Sequence, residues 1–335
     1  MDHDIDTVAR TLRGDEPLCD AVLSLELGEV TLHLRSNSEQ LITKLREYFS
    51  HVPEGSPTPD IEVLAIECAA PETGLDFIDW KREPGKTGRK DSYFDIPGGR
   101  VVRKVRTGMV FLHSESQCIA AGPCLQYDNQ VINFINAQYM NWLQQRGWQI
   151  CHAAALGYRG NAFGIAGFSG GGKSTLMLHL LDQDGVSYLT NDRLFVRKFD
   201  GVTRACGIPK LPRVNPGTIV HNPRLHGLIP SAERASLLSM PAAELWEIED
   251  KYDVHVEQVY GEDRIMTGAP LAGFLVLNWQ RDSDAGLALN SVDLAQRRDL
   301  LGAIMKSPGP FYQYSDGSFH QDTAEFDEQA YLDAK

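Results

Sequence analysis

The sequence predicts a mixed α/β (α+β) protein in two parts. An N-terminal α+β module covers residues 1–125, and a P-loop domain with a mixed, largely antiparallel sheet covers residues 126–335. Three observations carry that expectation. Strand-like alternation and tight turns fill much of the first 125 residues. The stretch "GFSGGGKST" (167–175) lies between a short apolar strand and a helix. A strand ending in "NDR" (191–193) follows after only a brief helix.

Residues 20–35 alternate apolar and polar on both sides of Gly28, which reads as a β-hairpin. "SEQLITKLREYF" places Leu41, Leu45 and Phe49 at helical spacing. "PDIEVLAIEC" returns to strand. Residues 69–99, rich in Pro, Gly and charge, predict long loops. "RVVRKVRTGMVFLHS" predicts a hairpin turning near Thr107–Gly108.

"YDNQVINFINAQYMNWLQQRGW" predicts a packing helix, with Ile132, Ile135, Tyr139 and Trp142 on one stripe. "QICHAAALGYRG" and "NAFGIAG" then form two strands of a hairpin leading into the glycine loop. After the loop a helix with Leu176, Met177, Leu180 and Leu181 on one side runs to Gly185, a natural C-terminal cap. Val186–Thr190 reads as a strand, and the chain turns back at Asp200–Gly201. "LAGFLVLNW" reads as an apolar strand, and "SVDLAQRRDLLGAIMKS" as a helix capped by Ser291. "DTAEFDEQAYLDAK" predicts a short acidic helix.

Composition narrows the function classes. The chain has 335 residues, is 42% hydrophobic and 23% charged, and carries a net charge of -13, which disfavours a nucleic-acid partner. No apolar run is long enough to span a bilayer, and the polar N-terminus shows no signal peptide, so no membrane partner and a cytoplasmic location are expected. The six cysteines form no C-x-x-C pair, which argues against a zinc or redox motif. Lys81–Arg106 holds nine basic residues against three acidic ones. That stretch fits either a solvated hairpin or a docking surface for an acidic or phosphorylated partner.

Gly167, Gly172, Lys173 and Ser174 fit G-x-x-x-x-G-K-[ST]. Gly167, Gly170, Gly171 and Gly172 let backbone N–H groups wrap a phosphate with no side chain in the way. The following helix directs its positive dipole end at the same anion. Ser169 and Thr175 fall within the cradle. Lys173 is expected to reach the β- and γ-phosphates of ATP, and Ser174 and Asp192 to hold Mg2+. The acid follows the loop at once, in an antiparallel ribbon, and not after a βαβ crossover. That disfavours a doubly wound GTPase or motor fold.

The arrangement resembles the bacterial HPr kinase/phosphorylase family, whose fold is related to phosphoenolpyruvate carboxykinase. That resemblance rests on "CHAAALG" with His152, "GFSGGGKST" and "LTNDRLFV", and "PKLPRVNPGTI" and "KYDV" look similar to the B type of HPr-kinase-related kinases. The resemblance covers roughly residues 130–215 and leaves the first 125 residues unmatched. It implies a P-loop kinase core in which paired aspartates divide metal binding from activation of the acceptor hydroxyl. Here Asn191 replaces the first acid, and an amide cannot accept a proton as a base. Asp192 and His152 are then the candidate bases.

Phosphoryl transfer asks mainly for positioning and charge neutralisation. Lys210 and Arg213, on the Pro-stiffened loop "GIPKLPRVNPG", are candidates to clamp phosphate, with Arg193 beside Asp192. "ELWEIEDKYDVHVEQVYG" adds Lys251 and Asp253, which also fit a charged strand edge. The function expected is ATP-dependent, magnesium-assisted transfer of the γ-phosphate to a hydroxyl of a protein or peptide serine or of a small molecule. The alternative is a nucleotide-binding regulatory protein or weak ATPase without phosphotransfer. The family resemblance also suggests a homo-oligomer.

Overall fold

The computed structural model describes residues 4–81, 88–168, 170–248, 250–278 and 286–334. Its chain divides into two interleaved units. Met1–Gly147 with Ser307–Phe326 form one, and Trp148–Lys306 with Asp327–Lys335 form the other. The boundary expected between 125 and 126 therefore differs from the division observed.

The first unit opens with helix α1 (Ile5–Arg13), where the Asp4 carboxylate accepts from the Thr7 N–H and caps the free end. β1 (Val22–Leu27) and β2 (Val30–Ser36) form the expected hairpin on Gly28, whose φ of 66° favours glycine. α2 (Glu39–Tyr48) is capped by Ser38 and buries Leu41, Ile42 and Leu45. β3 (Ile61–Glu67), β4 (Ile78–Asp79), β5 (Asp91–Ile96), β6 (Gly99–Lys104), β7 (Val110–Ser114) and β8 (Cys118–Gly122) follow. Among the described residues these strands form one sheet in the order β1-β2-β3-β8-β7-β6-β5-β4, parallel at β2/β3 and β3/β8 and antiparallel elsewhere. The loops expected over 69–99 thus contain two strands.

Helix α3 (Asp128–Gln145) buries residues on most of its circumference, including Phe134, Asn136 and Gln138. Such a helix is a core element of its unit, and Asn141 Oδ1 accepts from the Gln313 N–H of the returning segment at 3.0 Å. Arg100 is fully buried in the same unit. Its guanidinium makes a bidentate contact with Asp95, donates to the Pro310 and His320 carbonyls, and lies over the rings of Tyr93 and Phe319. Other cations of the basic stretch also have partners. Lys104 pairs with Asp91 and Arg89 with Asp79, both at 2.7 Å, while Arg103 covers the Phe77 ring. Arg82, Glu83 and Lys86 lie outside the described residues.

The second unit begins with β9 (Gln149–Cys151), β10 (Ala153–Tyr158) and β11 (Asn161–Gly167), then α4 (Lys173–Leu181), β12 (Val186–Thr190), β13 (Leu194–Phe199) and β14 (Val202–Cys206). β15 (Arg213–Val214), α5 (Pro216–Val220), α6 (Ser231–Leu238), α7 (Ala242–Glu247), β16 (Tyr252–Asp253) and α8 (Val256–Tyr260) lead to β17 (Gly268–Leu277), α9 (Leu301–Ile304) and α10 (Glu328–Asp333). Seven strands form the sheet β12-β10-β11-β17-β14-β13-β9 among the described residues. Only β11/β17 is parallel in it, so the sheet is mixed and largely antiparallel.

Met177, Leu178 and Leu181 of α4 are buried in one apolar cluster with Ala154, Leu156, Ile165 and Tyr188 of the sheet. A second cluster is built on alanines, with Ala153, Ala155, Ala162 and Ala166 beside Leu189, Leu194 and Ile304. The long helix expected over 291–307 is not formed. Among residues 286–306, only a single 3₁₀ turn at Arg298–Leu300 and the short α9 are helical. Met305 bridges Cys151 and the Ile304 carbonyl accepts the His152 N–H, so sheet-like pairing draws the chain out where helical periodicity would continue. No helix among the described residues is long and apolar enough to cross a membrane.

Candidate functional site

The sheet of the second unit changes hands at two neighbouring points. Cys151 pairs with Leu194 of β13, whereas Ala155 pairs with Thr190 of β12, so the chain switches partner at His152. Between Thr190 and Leu194 the facing segment makes the matching switch through Asn191, Asp192 and Arg193. Thr190 Oγ1 donates to the Arg193 carbonyl at 3.0 Å and closes that turn. The two breaks in the ladder bring His152 against Asp192, with Nε2 3.3 Å from Oδ1.

Asp192 Oδ2 takes the Arg193 guanidinium at 2.9 Å and the Lys306 ammonium at 3.4 Å. Burial alone would raise the carboxyl's pKa. The His152 hydrogen bond and the charges of Arg193 and Lys306 outweigh it and hold Asp192 well below the usual carboxylate range. Among the described residues Asp192 is the one side-chain partner of His152.

The glycine loop hangs between β11 and α4. Gly170 and Gly172 have φ of 76° and 81°, and Gly172 caps the helix in a left-handed conformation. Gly171 donates its N–H to the Phe168 carbonyl at 3.0 Å, and a Cβ there would stand 2.9 Å from that oxygen. A Cβ on Gly167 would meet Leu277 of β17 at 3.1 Å. The backbone therefore approaches itself as closely as the residue types allow. Lys173 Nζ donates to the Gly167 carbonyl at 2.8 Å and, more weakly, to that of Phe168. Burial lowers the Lys173 pKa, the charge of Asp192 opposes the shift, and that of Lys306 adds to it. Loop lysine and strand carboxylate thus share one field.

Ser174 and Thr175 occupy the first turn of α4, with Thr175 Oγ1 3.4 Å from Thr218 Oγ1. Ser169 lies outside the described residues. Lys210 is coupled to the same region. Burial and the charges of Arg193 and Arg213, opposed by Asp192 and Asp253, bring its pKa down to about 8. Arg213, expected to clamp phosphate, acts on Lys210 through its charge and is itself paired. Its Nε is 3.2 Å from Asp253 across the β15/β16 ribbon, and Nη2 donates to the Lys251 carbonyl.

Lys306 is the residue that sequence reasoning missed. Its one local signal is an isolated cation closing the apolar run "LLGAIM" before "SPGP". Tyr331 helps to set its backbone, giving its hydroxyl hydrogen to the Ile150 carbonyl at 2.6 Å and accepting from the Lys306 N–H at 3.4 Å.

Comparison with known proteins adds little to this geometry. No protein-family profile matches the chain, and no curated protein matches it. Among solved structures, it is similar to the Hpr(Ser) kinase/phosphatase from Coxiella burnetii, with a TM-score of 0.25 and 15% identity. The match covers 42% of this chain and 66% of that one. A score that low does not establish a shared fold.

The donor chemistry suits a hard cation. Ser174 offers a hydroxyl and Asp192 a carboxylate, and Asn191 Oδ1 is a buried oxygen without a hydrogen-bond partner. Among the described residues no three His, Cys, Asp or Glu side chains converge as a metal cage. Mg2+ needs none, since it keeps waters and shares its shell with substrate phosphates.

Proposed function

We propose that the second unit is an ATP-dependent kinase domain that transfers the γ-phosphate to a hydroxyl. The observation that carries this reading is the convergence of Lys173, Asp192, His152 and Lys306 beside a glycine loop that opens a helix. Backbone N–H groups of the loop and the Lys173 ammonium would hold the triphosphate. Ser174 and Asp192 would hold Mg2+, which supplies charge neutralisation when bound.

His152 is the favoured base. Asp192 is too weakly basic to take a proton near neutrality, and its carboxylate orients the imidazole by accepting from Nε2–H. That leaves the Nδ1 lone pair to take the acceptor's proton. The hydroxyl oxygen then bonds to the γ-phosphorus, the bond to the β-phosphate bridging oxygen breaks, and ADP leaves with that electron pair.

The experiment is a transfer assay with γ-labelled ATP against a library of serine peptides, polyols and hydroxy acids. Magnesium-dependent labelling that disappears in Lys173→Ala supports the reading, and slow hydrolysis alone overturns it. The second reading, a nucleotide-binding regulator or weak ATPase, is favoured by Asn191, which stands where an acid would serve. Asn191→Asp separates the two. Under the second reading it gains transfer activity, and under the first the wild-type protein already has it.

A further inference from the structure

The first unit holds a buried histidine with no part in the candidate site. His113 of β7 is 3% exposed. Cys118 of β8 places its Sγ 3.7 Å from Nδ1, and Asn141 of α3 places its Nδ2 3.4 Å from Nε2. The Phe319 ring, on the returning segment 307–326, stands edge-on to the imidazole at 5.7 Å. Gln138 of α3 accepts from the Cys118 thiol at 3.3 Å. Arg100 of β6 lies opposite His113 in the ladder and, among the described residues, is the one charged group that acts on the ring.

The hydrogen bonds of this cluster run in one direction. The Gln313 main-chain N–H is a donor, so the Asn141 atom that meets it at 3.0 Å is the oxygen, and the amide nitrogen faces His113. Nε2 must then accept, which puts the ring proton on Nδ1, toward the Cys118 sulfur. A second proton would set Nε2–H against the Asn141 N–H. Turning the amide over would offer its oxygen to that proton but set its N–H against the Gln313 N–H. Either way the tie to Gln313 or the tie to His113 is lost. Burial lowers the His113 pKa to about 4, a Gln138 hydrogen bond opposes the shift, and the charge of Arg100 adds to it. His320, on the segment itself, is lowered by burial and by Arg100, with Asp322 opposing, and its ring nitrogens meet the hydroxyls of Tyr314 and Ser307.

We propose that His113 is an acid-sensitive latch for the segment 307–326. Its neutral imidazole holds the Gln313 backbone through the Asn141 amide, and its protonation frees that backbone. Gln145 still donates to the Gln313 carbonyl, and Arg100 to those of Pro310 and His320, so acid loosens the segment at Gln313 without detaching it. The sign follows from linkage. A loosened imidazole approaches its ordinary pKa of 6.5, so the loosened form gains on the latched one as pH falls from 6.5 to 4. Between pH 7 and pH 4.5 the ratio of latched to loosened protein falls by up to about fiftyfold.

The test follows amide exchange of the full chain by mass spectrometry at pH 7 and pH 4.5, corrected for the intrinsic effect of pH on exchange. Peptides within 307–326 are expected to lose protection at least about tenfold more than peptides of β3 in the same unit. His113→Gln keeps an acceptor but takes no proton, and should hold that difference within about threefold. Asn141→Asp accepts from the Gln313 N–H and from a protonated ring at once, so it should abolish the acid loosening and raise the pKa of His113. Equal loss across the whole unit would mean plain acid unfolding and overturn the inference. A loss that persists in both variants would shift the role to His320 and overturn it too. Where a variant fails to fold, NMR titration of the wild-type His113 ring decides. A ring that gains its proton near pH 6.5 while 307–326 stays protected would leave no latch.

Discussion

His152 Nε2 and Asp192 Oδ1 lie 3.3 Å apart, although three strands, the glycine loop and a helix separate them along the chain. The contact exists because both residues occupy points where the ladder changes partner. Strand interiors would have committed both backbones to pairing. Here the side chains are set by the breaks.

Asp192→Asn tests the double duty of this carboxylate. The amide retains shape but loses charge, so repulsion of phosphate falls. Metal-free ATP is expected to bind more tightly than to wild type, and added magnesium is expected to bring no further gain. Titrations with and without EDTA distinguish the two effects. An unaltered metal response would mean that another residue holds the ion.

Lys173→Ala is expected to lower nucleotide affinity about a hundredfold or more, since the residue supplies the loop's charge-assisted contact to phosphate. The circular dichroism spectrum and melting temperature should stay close to wild type, because the ammonium bonds only to carbonyls of its own loop among the described residues. Wild-type affinity in this variant would remove the loop from the nucleotide site.

Gly171→Ala probes the loop's backbone. Its new Cβ would press on the Phe168 carbonyl, which is main chain and cannot swing aside. The loop must open, at a cost of about 1–3 kcal/mol confined to the cradle. Nucleotide affinity should fall about tenfold while the urea midpoint moves little. A large drop in stability with intact binding would contradict this.

Lys210 gives a pH signature with two opposite signs. Its folded pKa of about 8 lies below the ordinary 10.5, so the unfolded chain binds an extra proton between those values. Fold stability gains from this lysine as pH rises through that window. Phosphate affinity changes the other way, falling as the ammonium loses its proton. Bound polyphosphate shifts the fall to somewhat higher pH. Affinity and melting measured at pH 7 and pH 9, in wild type and Lys210→Met, check both. The variant should flatten each trend.

Arg100→Leu addresses the first unit. The substitution leaves Asp95 and two carbonyls without their donor and removes the cation from three aromatic rings. Asp95 is 43% exposed and can regain water, so the expected loss is about 2–4 kcal/mol and not more. Urea unfolding measures it. Arg100→Lys should fall between, since an ammonium keeps the charge but lacks the fork.

The sequence made local structure legible where local chemistry decides it. Gly28 and Asp200–Gly201 mark turns by residue type, and the hairpins around them are present, while the glycine loop joins β11 to α4 as its motif requires. The helical pattern over 291–307 misled because Ile304 and Met305 near its end pair with His152 and Cys151, far back in the chain. Arg100 reads as one more surface cation in a basic run. Its cage is drawn from Trp80, Tyr93 and Phe319, and no spacing rule connects those positions. At the candidate site, the loop and the carboxylate strand could be read from motif and spacing. The placement of His152 against Asp192 depended on strand topology. Lys306 reaches the carboxylate through tertiary pairing alone, so only the fold could reveal it.

The hydroxyl of Tyr331 bonds to the carbonyl of Ile150, 181 positions earlier. Each compact unit is therefore sewn shut by chain made after most of the other unit. A growing polypeptide would display the glycine loop long before the tyrosine that braces Lys306 had been synthesised. Division at a single peptide bond would likewise leave both halves incomplete. Isolating the unit that carries the glycine loop requires two cuts and a splice joining 306 to 327, a more demanding surgery than the apparent two-part sequence suggests.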